Sequence, residues 1–206
     1  KKGAVTGVKD QGSCGSCYTF SSSGALEGLY FIKKGTLVSL SEQQMLDCTS
    51  NQGNQGCSGG LMDNCFKYTQ SQGIMKESDY GYKGKAGTCA YSASKIVYKN
   101  AGYQDVKAND FTQLRAAVKL GPVSVAVEAD QDAWKLYKSG IISDNCGTSL
   151  DHGVLAVGYG NNYWIVKNSW GASWGESGYL RIASGSQNNG AGVCGINSDS
   201  SYPTLQ

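Results

Sequence analysis

Eight cysteines in a chain of 206 residues restrict the fold more than any other feature of the sequence. They stand at Cys14, Cys17, Cys48, Cys57, Cys65, Cys89, Cys146 and Cys194. That density suggests an oxidising compartment, and four disulfides in a structural secreted protein would use all eight. The pair Cys14-x-x-Cys17 has three readings. A redox dithiol would usually follow a strand in a thioredoxin-like βαβ unit, which the sequence does not suggest. A zinc site needs a second ligand pair, and there is no other Cys-x-x-Cys and no His pair. The third reading is a nucleophilic cysteine at the start of a helix. The chain has one histidine, so any His-dependent chemistry must use His152. An ordinary surface or core histidine is the plain alternative.

The two halves differ in texture. Up to about residue 104 the pattern is mainly helical. A polar, Gly-rich loop over residues 10–15 leads into a helix from Ser16 or Cys17, which Gly35 stops. Ser41 with Gln44 forms a capping box for a short helix reaching Cys48. Residues 51–60 are turn-rich. Leu61, Cys65, Tyr68 and Gln72 share a helical stripe that Gly73 ends. The second half reads as strands at 122–128, 153–159, 163–166 and 178–182, with a hairpin turn at 160–162. One helix interrupts them, capped by Asn109 or Asp110, apolar along Phe111, Leu114 and Val118, and ended by Gly121-Pro122. A cleft between two such halves is a common place for a site. With 40% hydrophobic and 17% charged residues the chain is globular, and its formal charge of +2 gives no reason to expect nucleic acid. No Lys/Arg block exceeds the pairs Lys1-Lys2 and Lys33-Lys34, no apolar run approaches a membrane span, and no N-x-Ser/Thr acceptor exists. The chain does not open on Met or a leader, which suggests a processed or trimmed product.

The string Gln11-Gly12-Ser13-Cys14-Gly15-Ser16-Cys17-Tyr18 matches a known signature of papain-like and cathepsin-like proteases. The likeness continues through Ser41 to Cys48, Gly56-Cys57-Ser58-Gly59-Gly60-Leu61-Met62-Asp63, Asp151-His152-Gly153 and Lys167-Asn168-Ser169-Trp170-Gly171. It ends with Cys194-Gly195-Ile196 and Ser201-Tyr202-Pro203. In this order, along nearly the whole chain, these strings resemble the papain-like cysteine protease family, and the cathepsin L group most. The resemblance implies an α+β fold with a helix-rich left domain (1–104), a β-barrel-like right domain (105–206) and the cleft between them. The last few residues would cross back to the left domain.

By that resemblance Cys17 is the nucleophile and His152 its acid–base partner. Thiolate attacks carbonyls far better than thiol does, and a helix N-terminus favours the anion. A nearby imidazolium would add a full charge. Asn168 would orient the imidazole, Trp170 would shield that bond, and Gln11 with the Cys17 N–H would form the oxyanion hole. The implied disulfides are Cys14–Cys57, Cys48–Cys89 and Cys146–Cys194, leaving Cys65 as a small buried core residue. Ser58, Gly59 and Gly60 match a wall that pairs with substrate backbone. Leu61, Met62, Ala126, Leu150 and Gly153, with Asp151 beside them, match an apolar pocket for the second residue before the scissile bond. Asp199, counted from Cys194, falls at that pocket's floor and could pair with a substrate Arg or Lys.

The implied function is a cysteine endopeptidase without cofactor or metal, monomeric, lysosomal, vacuolar or secreted. Its expected partners are peptide or protein substrates, its own propeptide and cystatin-like inhibitors. Three features depart from the family pattern. Tyr18 stands where many members have Trp, the usual residues before Lys1 are absent, and a single His leaves no two-histidine exopeptidase loop. The competing classes are a non-enzymatic structural relative and a disulfide oxidoreductase in which Cys14 and Cys17 cycle together.

Overall fold

The computed structural model describes residues 3–205; Lys1, Lys2 and Gln206 lie outside the described residues. Helix α1 (Cys17–Lys34) starts at the nucleophile candidate and ends at a left-handed Gly35, whose N–H donates to the Phe31 carbonyl. Helix α2 (Glu42–Cys48) starts as the capping box requires, with Ser41 Oγ accepting the Gln44 N–H at 3.0 Å. Helix α3 (Met62–Ser71) is followed by Gly73 at φ 84°. A Cβ at Gly73 would come within 2.4 Å of Ile96 Cγ2, so both conformation and space require glycine there. A two-stranded ladder, β1 (Ile74–Met75) with β2 (Ile96–Tyr98), completes this part.

The rest is built on one sheet. Its strands are β3 (Gly102–Asp105), β4 (Val123–Val127), β5 (Ile141–Ile142), β6 (His152–Tyr159), β7 (Tyr163–Lys167), β8 (Tyr179–Ala183) and β9 (Ser200–Thr204). Helix α4 (Phe111–Leu120), capped by Asp110 Oδ1 on the Gln113 N–H at 3.0 Å, precedes β4; a single turn, α5 (Asp132–Lys135), follows it. The sheet order is β3-β9-β4-β6-β7-β8-β5, antiparallel throughout except for the β5–β8 pair. Among the described residues the sheet stays open, with β3 and β5 at its edges, so the expected barrel does not close. The edge strand β5 is only two residues long, too short to continue the sheet far.

Two apolar clusters fill the interior. One gathers Tyr18, Leu26, Met45, Met62, Cys65 and Phe66 around the first three helices. The other gathers Leu114, Val125, Trp134, Trp164, Leu180 and Ile182 around the large sheet. Helix α1 lies against β6 between them. Ser21 Oγ donates to the Val154 carbonyl at 2.7 Å, and a Cβ at Gly24 would meet Leu155 Cδ2 at 2.6 Å. The missing side chain at Gly24 leaves room for the Leu155 side chain to pack against the helix.

Buried charges hold the segment before α1 in place. Lys9 Nζ lies 2.6 Å from Glu42 and 3.0 Å from Glu27, and Glu27 also accepts the Leu40 N–H. Burial pulls the Lys9 ammonium down, but the two carboxylates outweigh it and hold its pKa above the ordinary value. Complete burial pushes the Glu42 carboxyl up, against the pull of the Lys9 ammonium.

Three bridges are formed: Cys14–Cys57, Cys48–Cys89 and Cys146–Cys194. Cys17 and Cys65 are free, so eight cysteines do not make four disulfides. The Cys48–Cys89 bridge closes a separation of 41 residues. Its double replacement by alanine is expected to cost about 2–4 kcal/mol in denaturant unfolding. A loss below about 0.5 kcal/mol would mean that the bridge does not constrain the unfolded chain.

Candidate active site

The nucleophile candidate is placed by backbone contacts on both sides. Cys17 is the first residue of α1, free and half-buried. The Gly153 N–H, next in sequence to His152, donates to its Sγ at 3.4 Å. Cys14, three residues earlier, is bridged to Cys57. Cys14 and Cys17 are therefore not a dithiol, which removes the geometry that a disulfide oxidoreductase would need.

His152 opens β6 and is buried to 8% exposure. Its Nε2 lies 2.8 Å from Asn168 Oδ1, at the point where the chain leaves β7. The Ser169 N–H donates to the same oxygen at 2.9 Å. Two donors converging there fix the amide, since the flipped amide would set Nδ2 against the Ser169 N–H. The ring must then carry its proton on Nε2, leaving Nδ1 to exchange protons. Trp170 lies tilted over the imidazole, 5.0 Å between ring centroids. Trp134, fully buried, meets His152 edge-on at 6.0 Å and stacks on Trp174. Nothing in the sequence pattern singled out Trp134, because α5 is one turn long.

Burial opposes charge on both groups. It pushes the Cys17 thiol up, against the pull of the Gly153 and Tyr18 N–H groups. It pulls the His152 imidazole down, with Asn168 and then Asp151 working the other way. Burial also pushes Cys65 up to about 12; that thiol is fully enclosed and accepts from Asn54 Nδ2 at 3.5 Å.

Gln11 is bonded on every side. Its N–H donates to the Ser169 carbonyl at 2.8 Å, its Nε2 to the Cys14 carbonyl at 3.0 Å, and its Oε1 accepts from Ser169 Oγ at 2.8 Å. One Nε2 hydrogen remains for a ligand. Ser169 lies inside the Lys167-to-Gly171 string, but no local sequence pattern marks its hydroxyl as a partner of Gln11.

The other candidates fall into two groups. The Gly15 N–H donates to the Cys57 carbonyl at 2.9 Å, and a Cβ at Gly15 would lie 3.7 Å from the Gly59 nitrogen. That contact sets Ser58, Gly59 and Gly60 beside the Cys17 loop. Tyr18 is fully buried and its hydroxyl donates to the Gly56 carbonyl at 3.0 Å, a second tie between α1 and this segment. Leu61 is 58% exposed, whereas Met62 is buried with its sulfur against Gly153. Gly153 faces Ala126 across the β4–β6 ladder, and the Ala126 N–H donates to the Asp199 carbonyl at 2.9 Å. Met62, Gly153, Ala126 and Asp199 are thereby contiguous. Leu150 sits over Gly195 at the end of this row, and Asp151 turns its Oδ1 to the Ala129 N–H at 2.7 Å. Asp199 is exposed by area, yet partial desolvation first, and Asp105 second, push its carboxyl up. Among the described residues no group of three or more His, Cys, Asp or Glu side chains is placed to hold a metal ion.

A family model described as papain family cysteine protease matches residues 1–204. Cathepsin L of Sarcophaga peregrina is 50% identical over 212 residues, covering 98% of this chain and 61% of that protein. Procathepsin L of Mus musculus is 46% identical over 216 residues, covering 100% and 64%. The chain thus spans about three-fifths of the length of these curated relatives. Its fold is similar to that of a Carica candamarcensis cysteine protease solved in complex with E-64, with a TM-score of 0.94 at 45% identity and coverage of 100% and 95%. Digestive procathepsin L 3 of Tenebrio molitor larval midgut gives a TM-score of 0.91 at 46% identity, covering 98% and 67%.

In a Cys17→Ala variant the single imidazole is expected to titrate below the ordinary value of about 6.5. Adding Asn168→Ala is expected to lower it further, because the lost acceptor favours the protonated ring. Imidazole C–H shifts followed by NMR against pH measure both; a midpoint unmoved by Asn168→Ala would contradict this electrostatic picture.

Proposed function

Because the chain belongs to the papain family of cysteine proteases, we propose that it is an endopeptidase with Cys17 as nucleophile and His152 as acid–base partner. One observation carries this reading: a free thiol at the start of α1 accepts the backbone N–H of the residue that follows the sole histidine. Each group alone resists ionisation in its buried setting. Moving the proton from Sγ to Nδ1 creates both charges together, and their attraction offsets the desolvation of each. The thiolate then attacks the peptide carbonyl carbon, forming the C–S bond and an oxyanion. The Cys17 N–H and Gln11 Nε2 are the donors for that oxygen. Collapse breaks the C–N bond, His152 gives its proton to the departing amine, and a thioester remains. His152 next takes a proton from water, whose attack releases the acid and frees Cys17. Asn168 keeps the ring orientation through both steps.

The division at about residue 104 corresponds, in this reading, to the two apolar clusters, with the cleft where α1 meets β6. Substrate backbone would lie along Ser58, Gly59 and Gly60. The second side chain before the scissile bond would enter the space bounded by Leu61, Met62, Ala126, Leu150 and Gly153, with Asp199 at its floor and Trp170 on the far side of Cys17. That lining favours Leu or Phe, and an ionised Asp199 would admit Arg. A propeptide, as the procathepsin relatives suggest, and cystatin-like inhibitors would compete for the same cleft in a monomer acting in a lysosome, vacuole or extracellular space. No helix among the described residues is long and apolar enough to cross a membrane.

A peptide-library cleavage profile tests the function directly. Wild type is expected to cleave internal bonds that have Leu, Phe or Arg as the second residue before the cleaved bond. Cys17→Ser is expected to be inactive and unlabelled by an epoxide-type thiol inhibitor. Asp199→Ala is expected to lower the Arg/Phe ratio, and in wild type that ratio is expected to rise with pH above the ordinary carboxylate range of about 4, since burial and Asp105 delay ionisation. A Cys17→Ser protein that still cleaves sinks the mechanism; an unchanged Arg/Phe ratio in Asp199→Ala sinks the Asp199 role alone.

A further inference from the structure

We propose that the Tyr82 hydroxyl is a positioning group for the oxyanion site, because it ties together the two ends of the loop that carries both donors. This rests on reading Gln11 Nε2 and the Cys17 N–H as those donors. Tyr82 lies outside any helix or strand, far from Cys17 in sequence. Its Oη donates to the Gln11 carbonyl at 2.7 Å and lies 2.6 Å from Ser16 Oγ. With the phenol proton committed to the carbonyl, Ser16 is the donor in the second bond. Gln11 begins the loop and Ser16 ends it, immediately before Cys17. A single oxygen therefore spans the loop from the residue bearing one oxyanion donor to the residue preceding the other.

The phenol is itself held. Its ring packs edge-on against Phe20 in the first turns of α1, 4.9 Å between centroids. The Tyr82 N–H donates to Glu77 Oε1 at 2.8 Å, and the Lys83 N–H donates to Gln43 Oε1 at 2.7 Å. Ser16 is completely buried with the phenol in place. Oxyanion donors work only when aimed before the charge appears, within a few tenths of an ångström of the site the oxygen will occupy. A link that fixes the spacing of the two donors should act on the transition state and leave ground-state binding alone.

Tyr82→Phe keeps the ring and its Phe20 contact and removes only the oxygen. In steady-state peptide hydrolysis kcat is expected to fall about three- to tenfold, with KM within about twofold of wild type. A peptide aldehyde, whose adduct with Cys17 places an oxygen in the same site, should bind more weakly by a similar factor. Alkylation of Cys17 by iodoacetamide forms a C–S bond and expels iodide without any oxyanion, so its rate should be unchanged. Ser16→Ala removes the second bond, together with the longer bond from Ser16 Oγ to the Cys14 carbonyl at 3.4 Å, and should give a smaller loss with the same split, which keeps the test available if Tyr82→Phe does not fold. Unchanged kcat and aldehyde affinity overturn the proposal, as does a parallel fall in alkylation, which would mark a general disturbance of Cys17. Failure of the underlying reading shows separately, as full hydrolysis by Gln11→Ala or by wild type already alkylated at Cys17.

Discussion

The close approach of α1 to β6 is the contact on which the site depends. Cys17 accepts from Gly153, Ser21 donates to Val154, and Gly24 makes room for Leu155. Successive turns of the helix thus meet successive residues of the strand. The register puts the first residue of the helix beside the first residues of the strand, the placement from which the proposed mechanism has the thiol and the imidazole share a proton. A side chain at Gly24 would displace the Leu155 side chain from the seam between helix and strand. The Lys9 cluster and the Cys14–Cys57 bridge hold the loop before α1 against the same frame.

Magnitudes decide what ionises Cys17. A helix N-terminus contributes about 0.3–1 kcal/mol to a nearby anion, and about 2 kcal/mol in favourable buried cases. Burial works against this and wins for the thiol considered alone, since its pKa lies above the ordinary value. A full positive charge at about 4 Å is worth about 4 kcal/mol at an effective dielectric constant of 20. In the proposed mechanism the imidazolium, rather than the helix, therefore supplies most of the stabilisation, and the two groups ionise as a unit. The bond from His152 to Asn168 matters for the same reason: it holds the ring and favours its protonated form without placing a competing carboxylate beside it.

Much of the fold was legible because its signals are local. Gly35, Ser41, Gly73 and Asp110 each bound a helix by their own backbone or side-chain chemistry, and each does so in the structure. Strands β4, β6, β7 and β8 showed as apolar runs, within a residue or so of their bounds. Strand β9 did not, because Ser200-Ser201-Tyr202-Pro203 lacks alternation and contains a proline; it is a strand only because β3 and β4 flank it. The motif residues Gln11, Cys17, His152 and Asn168 were legible as strings, whereas their supports were not. Tyr82, Trp134 and the hydroxyl of Ser169 act on residues distant in sequence, and no local pattern marks an aromatic ring in an irregular stretch.

The pH dependence of Cys17 alkylation by iodoacetamide, compared between wild type and His152→Ala, measures the proton-sharing pair most directly. An ion pair predicts rapid alkylation of wild type at pH values well below the ordinary cysteine pKa of about 8.5, with reactivity in His152→Ala shifted above that value. Superimposable profiles for the two proteins, both rising near or above the ordinary thiol range, would contradict it.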